Sequence, residues 1–309
     1  MSPTAVTRWT QPRHVYRPDG QWPWMRSHAS MPLPWRRPDG STRVFHACRD
    51  DLNRASIGWV DLDAADPIRV TAVARRPALD LGAPGHFDDC GVYPACLVER
   101  EDRLWLYYNG RVSGARMPMF YTCVGLAESV DGGETFTRLF QAPVLGRDEV
   151  DPWMASSPCI LREGGRYRMW YVSGLPWQEE AGGLVSRFHI KIAESDDGLH
   201  WVREGRVALD LGEGELRLSR PCVVHEGGQY QMWFGVDAGQ GFRLGHATSP
   251  DGLVWTRRDD ELGLPPSVAA WDDRSRTNPW VFDVGGRRAM LVNGNAIGRD
   301  GFGIALEER

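Results

Sequence analysis

Nowhere in these 309 residues do eighteen apolar residues run together, so no segment has the length of a membrane-crossing helix. The opening segment, Met1–Trp9, lacks a charged region followed by an apolar run, so no signal peptide is visible. No basic stripe stands out: 36 basic residues face 41 acidic ones for a formal charge of −5, which argues against nucleic acid as a partner. Cys-x-x-Cys is missing, and no Cys/His pair has zinc spacing. Of the six cysteines, Cys96, Cys159 and Cys222 sit inside apolar runs, where a free thiol acts as a small hydrophobe. All six are read as reduced and structural, and a soluble cytoplasmic protein is the expectation. Long stretches of helical periodicity are scarce too. What the chain has instead is 14 Trp, 35 Gly and 21 Pro within a 42% hydrophobic composition, which points to a packed all-β fold of short strands.

Self-similarity organises the sequence. Segments 166–171 (RYRMWY), 229–234 (QYQMWF) and 103–108 (RLWLYY) are copies of one strand, with weaker copies at 287–292 and 42–47. Each follows an apolar run holding a proline. These prolines stand at 32, 94, 158, 221 and 279, in steps of 62, 64, 63 and 58 residues. Gly-Gly pairs at 164–165, 227–228 and 285–286 supply the positive φ that a tight hairpin needs between the first and second strands. A third strand follows in every copy. In three copies it runs through a Ser-x-Asp-Gly turn (129–132, 195–198, 249–252) into a short aromatic fourth strand. Four antiparallel strands, five times over, predict a single five-bladed β-propeller spanning 1–309. The fifth copy stops at its third strand. Trp9-Thr10-Gln11 mimics Trp255-Thr256-Arg257, so the N-terminal strand is expected to close the ring.

The Trp/Tyr-rich second strands, the AESDDG turn at 193–198 and the five-fold repetition resemble the five-bladed glycoside hydrolase superfamily of arabinanases, β-xylosidases, levansucrases, invertases and inverting mannoside phosphorylases. The SVDGGETF run at 129–136 is also similar to the Asp-box of six-bladed sialidases, and is read as a turn-stabilising hairpin. The resemblance spans essentially the whole chain. It implies a substrate funnel on the propeller axis, lined by the residues just before the five prolines. It also implies paired carboxylates there, one protonating the leaving oxygen and the other activating water or attacking the anomeric carbon. This chain departs from the superfamily in places. SHAS (27–30) stands where the first blade usually carries an Asp, and SSP (156–158) and SRP (219–221) stand where Glu-Gly-Pro is usual. FDDCGVYP (87–94) is loosely similar to the Glu-Asp-Pro acid motif of the mannoside phosphorylases.

Four of the five funnel segments carry a carboxylate five to seven residues before the proline. Asp89 is the expected acid, with Asp151, Glu215 or Asp273 as its partner. His28, Asp88, Ser157, Asn278 and Trp153 are candidates for holding the substrate. Arg217, Arg220 and Arg276, with Arg111 nearby, suggest an anionic group held bidentately. The plainer readings stand beside these: an Asp that caps a turn, or an Arg that pairs with its own rim carboxylates. The aromatic second strands (Trp105, Tyr107, Trp170, Tyr171, Trp233) are read as core, and Trp24, Trp153 and Trp177 as platforms for a sugar ring. The function that follows is a glycosidase-like enzyme acting on a small, anionic sugar conjugate or nucleoside-type compound. The alternatives are a non-catalytic carbohydrate-binding propeller, or one recruited for phosphorolysis or a lyase-type biosynthetic step. No cofactor or metal is expected, and the oligomeric state is not read.

Overall fold

The computed structural model describes residues 7–180 and 182–308, and Met1–Val6 of the opening segment lie outside them. The chain is nearly all-β, and the one α-helical stretch among the described residues is the single turn Asn295–Gly298. No helix among these residues is long and apolar enough to cross a membrane.

The strands form five successive antiparallel units. Unit one comprises Ser27–Arg36, Thr42–Arg49, Ala55–Leu62 and Val70–Val73. Unit two comprises Gly91–Arg100, Arg103–Ser113, Phe120–Ser129 and Thr137–Arg138. Unit three comprises Ala155–Glu163, Arg166–Gly174, Phe188–Ser195 and Val207–Leu209. Unit four comprises Arg217–Glu226, Gln229–Asp237, Phe242–Ser249 and Thr256–Arg257. Unit five comprises Thr277–Asp283, Arg288–Asn293 and Phe302–Leu306, and its fourth strand is Arg13–Tyr16 from the other end of the chain. The N-terminal segment thus pairs where expected but further along. Trp9 makes only a bridge to Glu307, the Thr10 amide donates to the Leu306 carbonyl at 2.8 Å, and the regular strand starts at Arg13.

Each unit is locked to the next by residues that recur in the sequence. In the Ser-x-Asp-Gly turns the serine hydroxyl donates to the Asp and accepts from a glycine amide: Gly133 donates to Ser129, Gly198 to Ser195 and Gly252 to Ser249, each at 2.9 Å. The turn then receives the neighbouring unit. Tyr107 Oη donates to the Gly198 carbonyl at 2.6 Å and Trp170 Nε1 to Gly252 at 2.9 Å. A Cβ at Gly198 would lie 2.9 Å from that Tyr107 hydroxyl, so the latch needs glycine. Nearer the centre, Cys96, Cys159 and Cys222 accept the amides of Ile160, Val223 and Val281 from the next unit at 3.4, 3.2 and 3.2 Å. All six thiols are free.

Five apolar clusters fill the interfaces between successive units. One joins Ala29, Val44 and Val60 of unit one to Leu291, Phe302 and Ile304 of unit five. Trp280 packs against all five. In unit five it takes the place that Cys159 and Cys222 hold beside their prolines, and the larger ring fills the centre. The second-strand aromatics Trp105, Tyr107, Trp170, Tyr171 and Trp233 are all buried, as expected of core.

Candidate active site at the centre of the strand units

Three of the carboxylates picked out by sequence are engaged in a repeated clasp. Asp88 accepts hydrogen bonds from Tyr108 Oη at 3.0 Å and Arg138 Nε at 2.8 Å. Asp151 accepts from Tyr171 Oη at 2.8 Å, Ser173 Oγ at 2.6 Å, Arg203 Nη1 at 2.9 Å and the chain's only lysine, Lys191, at 3.1 Å. Glu215 takes both Arg257 nitrogens at 3.0 Å, Arg243 at 3.1 Å and the Gly212 amide at 2.8 Å, while Arg257 lies over the Phe234 ring. In each case an acid ahead of the inner strand takes an arginine from or just before the fourth strand; Asp88 and Asp151 also take a second-strand tyrosine, and Arg257 lies over second-strand Phe234. Burial alone would raise the Asp151 pKa, but Ser173, Tyr171 and the Lys191 charge outweigh it and hold the carboxyl below its ordinary value. Asp151 is wholly buried, with both oxygens engaged, and Glu215 is 7% exposed. In this geometry Asp151 and Glu215 hold strands together through both oxygens, and Asp88 does so through Oδ2 while its Oδ1 is buried without a partner.

Two of the arginines follow the plainer reading. Arg276 Nε donates to Asp272 at 2.7 Å, and Arg217 lies 3.2 Å from Asp237. Arg220 does not. It is 1% exposed, its Nη2 donates to the Pro32 carbonyl of unit one at 3.0 Å, and its guanidinium sits 5.1 Å from the Trp280 ring centre. Units four and one are not neighbours in sequence order, so this side chain crosses the centre of the molecule. Its Nε and Nη1 are buried without a hydrogen-bond partner. Burial pushes its pKa down to about 9, which leaves it charged at neutral pH.

Around Arg220 stand the other residues that precede the five prolines. Met31, Ser157, Arg220 and Asn278 all have φ between 41° and 56°, in the left-handed region, and each lies in a bulge of its inner strand. Such conformations cost on the order of 1–3 kcal/mol each and gather at functional sites. Two second-strand asparagines hold three of them. Asn109 accepts the Ser157 amide at 2.6 Å, and Asn293 accepts both the Met31 amide at 2.7 Å and Asn278 Nδ2 at 2.9 Å. Tyr93, the remaining member, packs on Met31 and carries a buried hydroxyl with no partner.

At the start of the first inner strand, His28 is half-buried, with Ser27 Oγ 2.8 Å from its Nδ1. Burial, then the charges of Arg49 and Arg299, push its pKa down to about 4. The ring is neutral at pH 7 and is no acid there. A histidine that resists protonation when folded weakens the fold as pH drops from about 6.5 toward that value. His28→Gln should therefore flatten the fall of melting temperature with acid between these pH values; an unchanged slope would contradict the assignment. Asp89 is half-buried, with Oδ2 accepting the Gly85 amide at 2.8 Å and Oδ1 unpartnered. Asp273 is exposed, and Asn295 donates to its Oδ1 at 2.9 Å. An off-centre cavity of about 330 Å³ adjoins it, lined by Phe242, Asp272, Asp273, Arg274 and Arg276. Trp153 lies against Gly174 and Trp24 against Gly58, and Trp177 is edge-on to Phe120.

Sequence reasoning missed Arg49 and Arg299, which reach the mouth from the end of a second strand and from the turn after one. Both lie between the repeated segments, where no signal in the sequence ties them to the centre. Among the described residues, no group of three or more His, Cys, Asp or Glu side chains is placed to hold a metal ion.

No protein-family model matches the chain. Among solved structures, it is similar to a glycosyl hydrolase from Bacteroides ovatus (TM-score 0.71, 13% identity, covering 98% of this chain and 94% of that one). It is also similar to a thermostable family-43 glycoside hydrolase (0.67, 14%, 97% and 92%) and to a structure from the GH130 family of mannoside phosphorylases, described as containing hydrolases of β-1,2 mannosidic linkages in Candida mannan (0.70, 13%, 99% and 95%). Two Mycobacterium tuberculosis proteins, the uncharacterized MT1551 and Rv1502, are 39% and 38% identical over 302 residues, which is 97% of this chain and 99% of each of theirs. The chain belongs to the family of MT1551 and Rv1502, a divergent branch with the fold of the propeller-type glycoside hydrolases.

Proposed function

We propose that the five units are the blades of a closed five-bladed propeller, sealed by the N-terminal strand, and that the chain is a carbohydrate-active enzyme working on a glycosidic bond at its axial mouth. The observation that carries this reading is the sorting of the carboxylates. Asp151 and Glu215 have both oxygens hydrogen-bonded within the protein, whereas Asp89 keeps a buried Oδ1 without a partner and the exposed Asp273 accepts from Asn295 at Oδ1. Asp89 is assigned as general acid and Asp273 as its partner base, with neutral His28, Ser157 and Asn278 positioning the sugar. Glycosidic chemistry asks for this division of labour between two carboxylates.

Asp89→Asn and Asp273→Asn should each lower the rate of sugar release from aryl glycosides by roughly 10²–10⁴-fold while leaving the melting temperature close to the parent's. Full activity in both variants would remove these residues from the chemistry. A second reading, a non-catalytic carbohydrate-binding propeller, is favoured by the tightness of the axial ring, whose five pre-proline residues are each at most 9% exposed. Saturable sugar binding with no turnover would select it.

A further inference from the structure

We propose that Arg220 is the recognition element for an anionic group, a carboxylate or phosphate, on the ligand that enters the mouth. This rests on the reading of the mouth as a carbohydrate site and adds the substrate class. A buried guanidinium normally has a carboxylate beside it, because an unpaired charge is costly to take out of water. The structure supplies such partners elsewhere: Arg43 has Asp61 at 2.8 Å, Arg138 has Asp88, and Arg257 has Glu215. Arg220 has a backbone carbonyl, an aromatic face and two idle N–H groups.

Other unsatisfied or charged donors lie among the pre-proline residues and near His28. The Tyr93 hydroxyl is buried and unpartnered, and Arg49 and Arg299 bring charge to the mouth near His28. An anion would satisfy the idle donors of Arg220 through charge-assisted hydrogen bonds.

The test is the melting temperature of the full chain at fixed ionic strength, with inorganic phosphate, glucuronate, or neutral glucose as probe. Either anion should raise it several degrees above glucose. A response to glucuronate alone assigns a sugar acid, to phosphate alone a phosphate group, and to both the shared charge. Arg220→Met and Arg220→Gln should weaken the response about 10–100-fold. Arg220→Met without ligand should melt above the parent, since it removes a buried uncompensated charge. Arg49→Gln with Arg299→Gln should weaken the anion response several-fold in a chain that folds normally. An anion response that survives in the Arg220 variants, no response in the parent, or an Arg220→Met chain that fails to fold would each overturn the inference. Turnover of neutral glycosides in a parent blind to anions would sink this inference and leave the proposed function standing. An anion response without any glycoside turnover would do the reverse.

Discussion

Asp151→Ala should destabilise the protein by about 3–5 kcal/mol, the cost of leaving buried charge uncompensated. The substitution strips a partner from Lys191, Arg203, Tyr171 and Ser173 at once, and the lysine and arginine side chains are only 11% and 12% exposed. Arg203 keeps Asp148, so the greater part of the loss falls on Lys191. In a chain of this size the melting temperature should drop by roughly 5–15 °C. Asp196→Ala is the control: that carboxylate is 84% exposed against Arg166, and its removal should go unnoticed. The Asp151 carboxyl is held below its ordinary value, so its contribution is complete above the unfolded value near pH 4 and fades as pH falls further. The variant should lose that part of the acid sensitivity. An Asp151→Ala protein that melts like the parent would contradict the clasp assignment and return the residue to the catalytic candidates.

Removal of residues 1–16 should be more damaging still. It takes away the strand Arg13–Tyr16 and bares the edge of Phe302–Leu306, which then offers unpaired backbone groups to other chains. It also removes Trp9, 2% exposed and packed edge-on against Trp233 with ring centres 6.4 Å apart. Trp9→Ala alone should cost about 3–5 kcal/mol, the usual effect of a large cavity. The truncated chain should aggregate or melt far below the parent by calorimetry. A truncation that melts unchanged would refute closure through the termini.

The spacing of prolines and the Gly-Gly and Ser-x-Asp-Gly turns made the strand units legible in the sequence, because turn chemistry is local and repeats with the fold. The clasps were legible in principle and went unread. The acid precedes the second-strand aromatic by 20, 20 and 19 residues, at Asp88/Tyr108, Asp151/Tyr171 and Glu215/Phe234, and an arginine follows in or just before each fourth strand, at 138, 203 and 257. Taken singly, each of these acids looked like a funnel carboxylate; taken as a column, they belong to the scaffold. The state of Arg220 could not be read at all. Whether an arginine finds a carboxylate depends on side chains from three units meeting at the centre, and Arg217, three residues earlier, does find one. Trp280 was visible only as a departure, a Pro-Trp where two other repeats have Pro-Cys, and its reach to all five clusters is a property of the assembled units.

The most direct test of a carbohydrate site at the axial mouth is a crystal structure of the Asp89→Asn protein soaked with an aryl glycosiduronate. Density for the sugar is expected beside residue 89 and His28, with its carboxylate turned toward Arg220. Sugar density confined to the off-centre cavity lined by Phe242 and Arg276, with the mouth unchanged, would contradict a carbohydrate site on the axis.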